Sequence, residues 1–186
     1  MLDRFNPIPV FRGSWKGLAD GRYGRLRPDW LARAVLGLPP AALLIFMLCS
    51  DADLKAPVPI LTAVSLLAGG MLSAFTHLST LRLKITEWLD DPEAEQDRFL
   101  TEREMMDESA AHLLAGAVAC ALDAALLVLG LNLSSDEKGA LTGVWAALAG
   151  AGSAYVLLLF VMSVPRMYAA YVAINDVSTK LSGFAR

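Results

Sequence analysis

One carboxylate stands alone inside a long apolar run. Asp123 lies within Ser109–Leu131, roughly eight residues from the end of that run. An ionisable group this deep in a span costs about 2.5–3.5 kcal/mol on insertion scales and normally faces other helices or water. Two chemistries are open to it. It can be a proton or cation site, or a sensor whose protonation biases helix packing. It can also be a structural carboxyl, bonded to Ser65, Thr62, Tyr155 or a carbonyl freed by proline. Counting along antiparallel helices places Asp123 level with Pro39-Pro40, with Ser65, and with Ala146–Gly150. Paired prolines remove helix hydrogen bonds and expose carbonyls, as in the broken helices around transported ions, although prolines also make simple kinks.

Other chemistry-bearing residues are sparse. His77 and His112 fall near neighbouring ends of the second and third apolar runs, too few ligands for a metal site, so packing or hydrogen bonding is expected. Cys49 and Cys120 lack metal spacing and are expected to be small packing residues rather than a disulfide. There is no nucleophile paired with a base, no phosphate loop and no metalloprotease motif. An enzyme, a cofactor or a bound metal is therefore not expected.

The elements that must position Asp123 are four apolar segments, Leu31–Cys49, Val58–Leu81, Ser109–Leu131 and Ala140–Val164. Each is about long enough to cross roughly 30 Å of hydrocarbon. Of 186 residues, 55% are hydrophobic and only 19% charged, below the roughly 25% of a soluble domain. The fold expected is all-α: a polytopic membrane protein of four transmembrane helices in two hairpins. Trp145, Tyr155, Tyr168 and Tyr171 read as interface or core aromatics.

Charge sets the orientation. Basic residues gather before the first span (Arg4, Arg12, Lys16, Arg22, Arg25, Arg27, Arg33), in the middle loop (Arg82, Lys84, Arg98, Arg103) and in the tail (Arg166, Lys180, Arg186). The two short connections hold one lysine each, Lys55 and Lys138. By the positive-inside rule both termini and the middle loop are cytoplasmic. No signal peptide is visible, so the first span is expected to drive insertion. Abundant Gly and Ala with arginine preferred over lysine point to a high-GC bacterium, hence a bacterial inner membrane. The net charge of −3 implies no direct nucleic-acid partner.

Three regions follow. Residues 1–30 mix aromatics with arginines and are expected to lie at the headgroup layer, anchored by Arg22, Arg25, Arg27, Trp15 and Trp30, with Ser14 capping a short turn. Residues 31–165 form the membrane domain, including a cytoplasmic helical hairpin over 82–108. There the stripe Leu81, Ile85, Trp88, Leu89 extends the second helix, Asp90-Asp91-Pro92 breaks it, and an acidic helix leads into the third span. Residues 166–186 read as an amphipathic cytoplasmic helix. The hairpin is either a solvated spacer or a docking surface using Trp88, Phe99, Leu100, Met105 and Met106. Small residues at Gly69, Gly70, Gly116 and Gly150 suit close helix packing, within one chain or between copies of a homo-oligomer.

The topology and the long helical extensions resemble small four-helix membrane subunits encoded in bacterial phage-defence operons. The resemblance transfers no residue roles. It implies a sensor of membrane disturbance or a membrane-disrupting effector, homo-oligomeric and bound to a cytoplasmic partner. An oligomeric ion channel or transporter subunit centred on Asp123, and a passive scaffold of a larger complex, are the other expectations.

Overall fold

Apolar runs too long for a soluble helix face and flanked by polar loops form helices, since only internal hydrogen bonding satisfies a backbone in lipid. A computed structural model describes residues 6–20, 27–89, 96–137 and 139–175. It contains α1 (Ile8–Gly17), α2 (Trp30–Ser50), α3 (Pro57–Leu89), α4 (Gln96–Leu133) and α5 (Gly143–Ile174). Two-residue strands β1 (Ala19–Asp20) and β2 (Arg27–Pro28) pair antiparallel between α1 and α2. Helices α2 to α5 are each long and apolar enough to cross a membrane.

Heptad spacing explains the central packing. Val64, Met71 and Leu78 of α3 are buried at sevens, and so are Met106, Leu113, Cys120 and Leu127 of α4. A seven-residue repeat keeps one seam facing its partner and favours a shallow left-handed crossing. Helix α4 packs against α3, α5 and α1. Half of its apolar window (50%) is buried, against 33% in α5, 17% in α2 and 11% in α3. The main neighbour of α2 is α5. Gly150 makes room there, since a Cβ on it would stand 2.8 Å from the sulfur of Met47.

The two short connections are stitched together. Leu54 and Leu141 exchange backbone hydrogen bonds of 2.9 and 3.0 Å, and the Asp136 carboxylate accepts from Ala140 N at 2.7 Å. Leu141 is fully buried beside Leu127.

Three local expectations change. Prolines 7 and 9 fall at the start of α1, where a missing N–H costs no helix bond, so they begin a helix over Ile8–Gly17 and Ser14 is a buried interior residue, not a cap. Helix α1 has a tertiary contact beyond its expected headgroup position: it docks on α4 through Gly13 and Gly17. A Cβ on Gly13 would stand 3.6 Å from that of Ala111; one on Gly17 would meet Glu108 and stand 3.1 Å from the His112 ring. Finally, α5 continues through Pro165 to Ile174, so the first residues of the expected separate helix over 166–186 prolong α5, and α2 continues through Pro39-Pro40. A proline in a membrane helix removes one bond without ending the helix when neighbours hold it. Residues 176–186 lie outside the described part.

Gly17→Leu should release α1. Thermal unfolding in detergent should show a loss of about 1–3 kcal/mol, and proteolysis should reach the first thirty residues sooner. Gly37→Ala, with nothing within 4 Å of the added carbon, should show neither change.

Candidate functional site

Helix α4 carries Asp123 three residues beyond Cys120 in the heptad seam, so its side chain turns inward. It is 2% exposed. The Ser153 hydroxyl of α5 donates to Oδ2 at 2.7 Å, while Oδ1 is buried with no partner among the described residues. Gly152 supplies the space, because a Cβ there would collide with Oδ1. The site is thus one carboxyl with one filled and one open acceptor, roofed by bare backbone. Such an oxygen can hold a proton or accept from an entering donor.

The expected partners are elsewhere. Ser65 is exposed and donates to Leu61 O in its own helix at 2.8 Å; Thr62 does the same to Val58 O at 3.1 Å. Pro39 is exposed and Pro40 buried. Ser153 was missed by three residues. The count began the fourth helix at Ala140, but residues 134–142 fold into the bridged connection and α5 starts at Gly143. Moving Ala146–Gly150 by three residues reaches 149–153. The adjacent Gly152-Ser153, a gap beside a hydroxyl, was the available signal.

A second polar cluster gathers where α1 ends. Arg166 of α5 forms an ion pair with Glu108 of α4 and donates to Gly17 O at 3.2 Å. Asp29 caps α2 by accepting from Ala32 N at 3.0 Å, and its own N–H reaches Leu18 O at 3.0 Å. Buried His112 donates through Nδ1 to Glu108 O at 2.8 Å, leaving Nε2 without a partner. His77 is exposed on α3, so the two histidines do not form one site. Among the described residues no three His, Cys, Asp or Glu side chains gather closely enough to hold a metal ion. Cys49 is exposed and Cys120 buried, both free thiols.

Beyond this cluster α3 and α4 leave the bundle together. A forked Arg82–Asp107 ion pair joins them at that point. The backbone is helical to Leu89 and from Gln96, but the side chains of Trp88, Phe99, Leu100 and Met105 lie outside the described ones. Met106 corrects the docking set: at 1% exposure it belongs to the intramolecular core with Leu78 and Leu113. Of the anchoring set, Trp15 and Trp30 are exposed, with the Arg33 guanidinium 5.1 and 5.7 Å from their rings. Arg22 and Arg25 lie outside the described residues, as does the side chain of Arg27. The small residues divide. Gly116 packs beneath Met71 and Leu159 and Gly150 beneath Met47, whereas Gly69 and Gly70 are exposed with nothing within 4 Å.

Ser153→Ala removes the one partner of a buried carboxyl and should cost about 1–3 kcal/mol in thermal unfolding. Ser65→Ala, exposed and bonded only within its helix, should stay within about 0.5 kcal/mol of the parent. Equal losses at the two sites would mean that the carboxyl is not held by Ser153. No protein-family model matches this chain, and comparisons with curated proteins and with solved structures find no match.

Proposed function

We propose that this chain is a multi-pass protein of a bacterial inner membrane that self-associates and couples a cytoplasmic partner to its bundle through the helical hairpin over 82–108. The carrying observation is helix length. At 1.5 Å per residue, the 33 residues of α3 and 38 of α4 reach roughly 50 and 57 Å, against a hydrocarbon core of about 30 Å. Both excesses emerge at the end that holds Arg12, Lys16, Arg33, Arg82 and Arg166, and excess arginine and lysine mark the cytoplasmic side. Self-association is supported by the outer face of α3. Ser65, Gly69 and Ser73 are exposed at four-residue steps, the spacing that lets helix backbones approach closely. A sensor or membrane-disrupting effector working with a soluble defence partner is the biological setting this layout suits.

The test is purification from the native host. A stoichiometric soluble companion should stay with the parent protein and be lost from Trp88→Ala or Phe99→Ala, with the thermal midpoint unchanged. Retention with both replaced would remove the hairpin from the interface. In nanodiscs, Gly69→Leu should lower the oligomer mass without lowering the midpoint.

The open Oδ1 of Asp123 favours a second reading, an oligomeric channel or transporter subunit with Asp123 as its intramembrane site. Under that reading Asp123→Asn changes liposome conductance or its pH dependence, and an unaltered current rejects it.

A further inference from the structure

Helix α1 has two faces. Val10, Gly13, Ser14, Gly17 and Leu18 form the small-residue face set against the bundle, with Ser14 and Leu18 buried. Ile8, Arg12, Trp15 and Lys16 lie on the other face, and Phe11 sits between the two, half-buried against the core that α3 and α4 share. That second face, together with Phe11 and the buried Ser14, borders an open cavity of about 520 Å³, completed by Leu36 of α2 and Tyr155 of α5. The volume lies within the range of small-molecule sites.

The lining mixes cationic and apolar side chains. Arg12 and Lys16 are exposed, and neither forms an ion pair with a described residue. Among the described residues no acidic side chain lines the cavity. Leu36 lies six residues into α2 from Trp30, about 9 Å, and Tyr155 lies eleven residues along α5 from Arg166, about 16 Å. Half of a hydrocarbon core is about 15 Å. The lining thus joins two cations, Arg12 and Lys16, to mostly apolar side chains, and its α2 and α5 residues lie within about one leaflet's depth of Trp30 and Arg166. Trp15, its outer wall, is held from behind. Arg33 Nη2 donates to the Trp15 carbonyl at 3.1 Å, and the guanidinium stacks over the indole.

We propose that this cavity holds one anionic phospholipid, its phosphate between Arg12 and Lys16 and an acyl chain along Ile8, Phe11, Leu36 and Tyr155. The lining suits a molecule with a charged part and a long apolar part, and two cations with no ion-pair partner among the described residues select an anionic head. A lipid seated here touches α1, α2 and α5 together, so it strengthens the attachment of the N-terminal helix to the bundle.

The inference rests on the membrane-spanning reading but needs neither the cytoplasmic partner nor the oligomer. Insertion is read separately, as recovery of the full chain in phosphatidylcholine nanodiscs, so failure to insert is distinguishable from failure to select a lipid. Full-length protein is delipidated in maltoside detergent and titrated with dioleoylphosphatidylglycerol or dioleoylphosphatidylcholine, and bound lipid is counted by native mass spectrometry. One phosphatidylglycerol per chain should be retained, with a preference over phosphatidylcholine of roughly tenfold or more. Arg12→Gln with Lys16→Gln should lower that preference by roughly 10- to 30-fold, as expected for two cations near an anionic surface. Leu36→Trp, which fills the cavity and keeps both charges, should lower retention of both lipids.

Equal retention of the two lipids by the parent protein overturns the proposal and needs no variant. So does a preference that survives loss of both cations. Displacement of the lipid by inorganic phosphate at equal concentration would assign the site to a free anion. Exclusion of lipid by a second copy of the chain would assign the face to an oligomer contact.

Discussion

Close backbone approach to α4 is the constraint on which the rest of the structure depends. In lipid there is no hydrophobic gain from bringing two apolar helices together, so contact must come from dispersion between surfaces that fit closely. Gly17 admits Glu108 and His112, Gly116 admits Met71 and Leu159, and Gly152 admits Asp123. Each glycine replaces a side chain with a partner's atoms. Around this axis the heptad seam of α3 lies on one side and α5 on the other, and α2 is attached through α5.

Polar atoms mark where that packing is interrupted. Asp123 Oδ1, His112 Nε2 and Arg33 Nε are buried without hydrogen-bond partners among the described residues. A missing partner for a buried polar atom costs about 1–3 kcal/mol, more for a charged group. Two of the three atoms belong to α4, the most enclosed helix, and the third belongs to the arginine that stacks on the N-terminal helix. The middle of the bundle and its α1 end are therefore the two places where a ligand, a proton or a rearrangement has most to gain. At the stitched end, where Leu54 and Leu141 exchange backbone bonds, no described buried side-chain polar atom lacks a partner.

Charge and length act together at the α1 end. The partly buried Arg166–Glu108 pair ties α5 to α4 beside the α1 C-terminus, and the more exposed Arg82–Asp107 pair clasps α3 and α4 as they leave the bundle. Exposed pairs contribute little on their own, about 0–1 kcal/mol. Their value is geometric. They fix α5 and α3 against α4 beside the α1 C-terminus.

The four apolar helices were legible in the sequence because long apolar runs have one stable solution in lipid, and the apolar stretches Trp30–Ser50, Pro57–Leu83, Met106–Leu133 and Gly143–Ala169 lie close to the expected segments. The extension of the second and third helices was legible too, from the stripe continuing past Leu81. The heptad seam was present in the sequence, yet a uniformly apolar run conceals which residues face a partner, since lipid and protein interior are equally apolar. Tertiary structure alone decided the rest. It seated α1 on α4 through Gly13 and Gly17, paired Asp123 with Ser153 in place of Ser65, moved Met106 from a surface to the core, and separated Gly116 and Gly150 from the exposed Gly69 and Gly70. Each of these depends on the rotation and axial offset of one helix against another. A three-residue shift in where α5 begins changes every partner along it, and that shift was set by backbone bonds between two connections far apart in the chain.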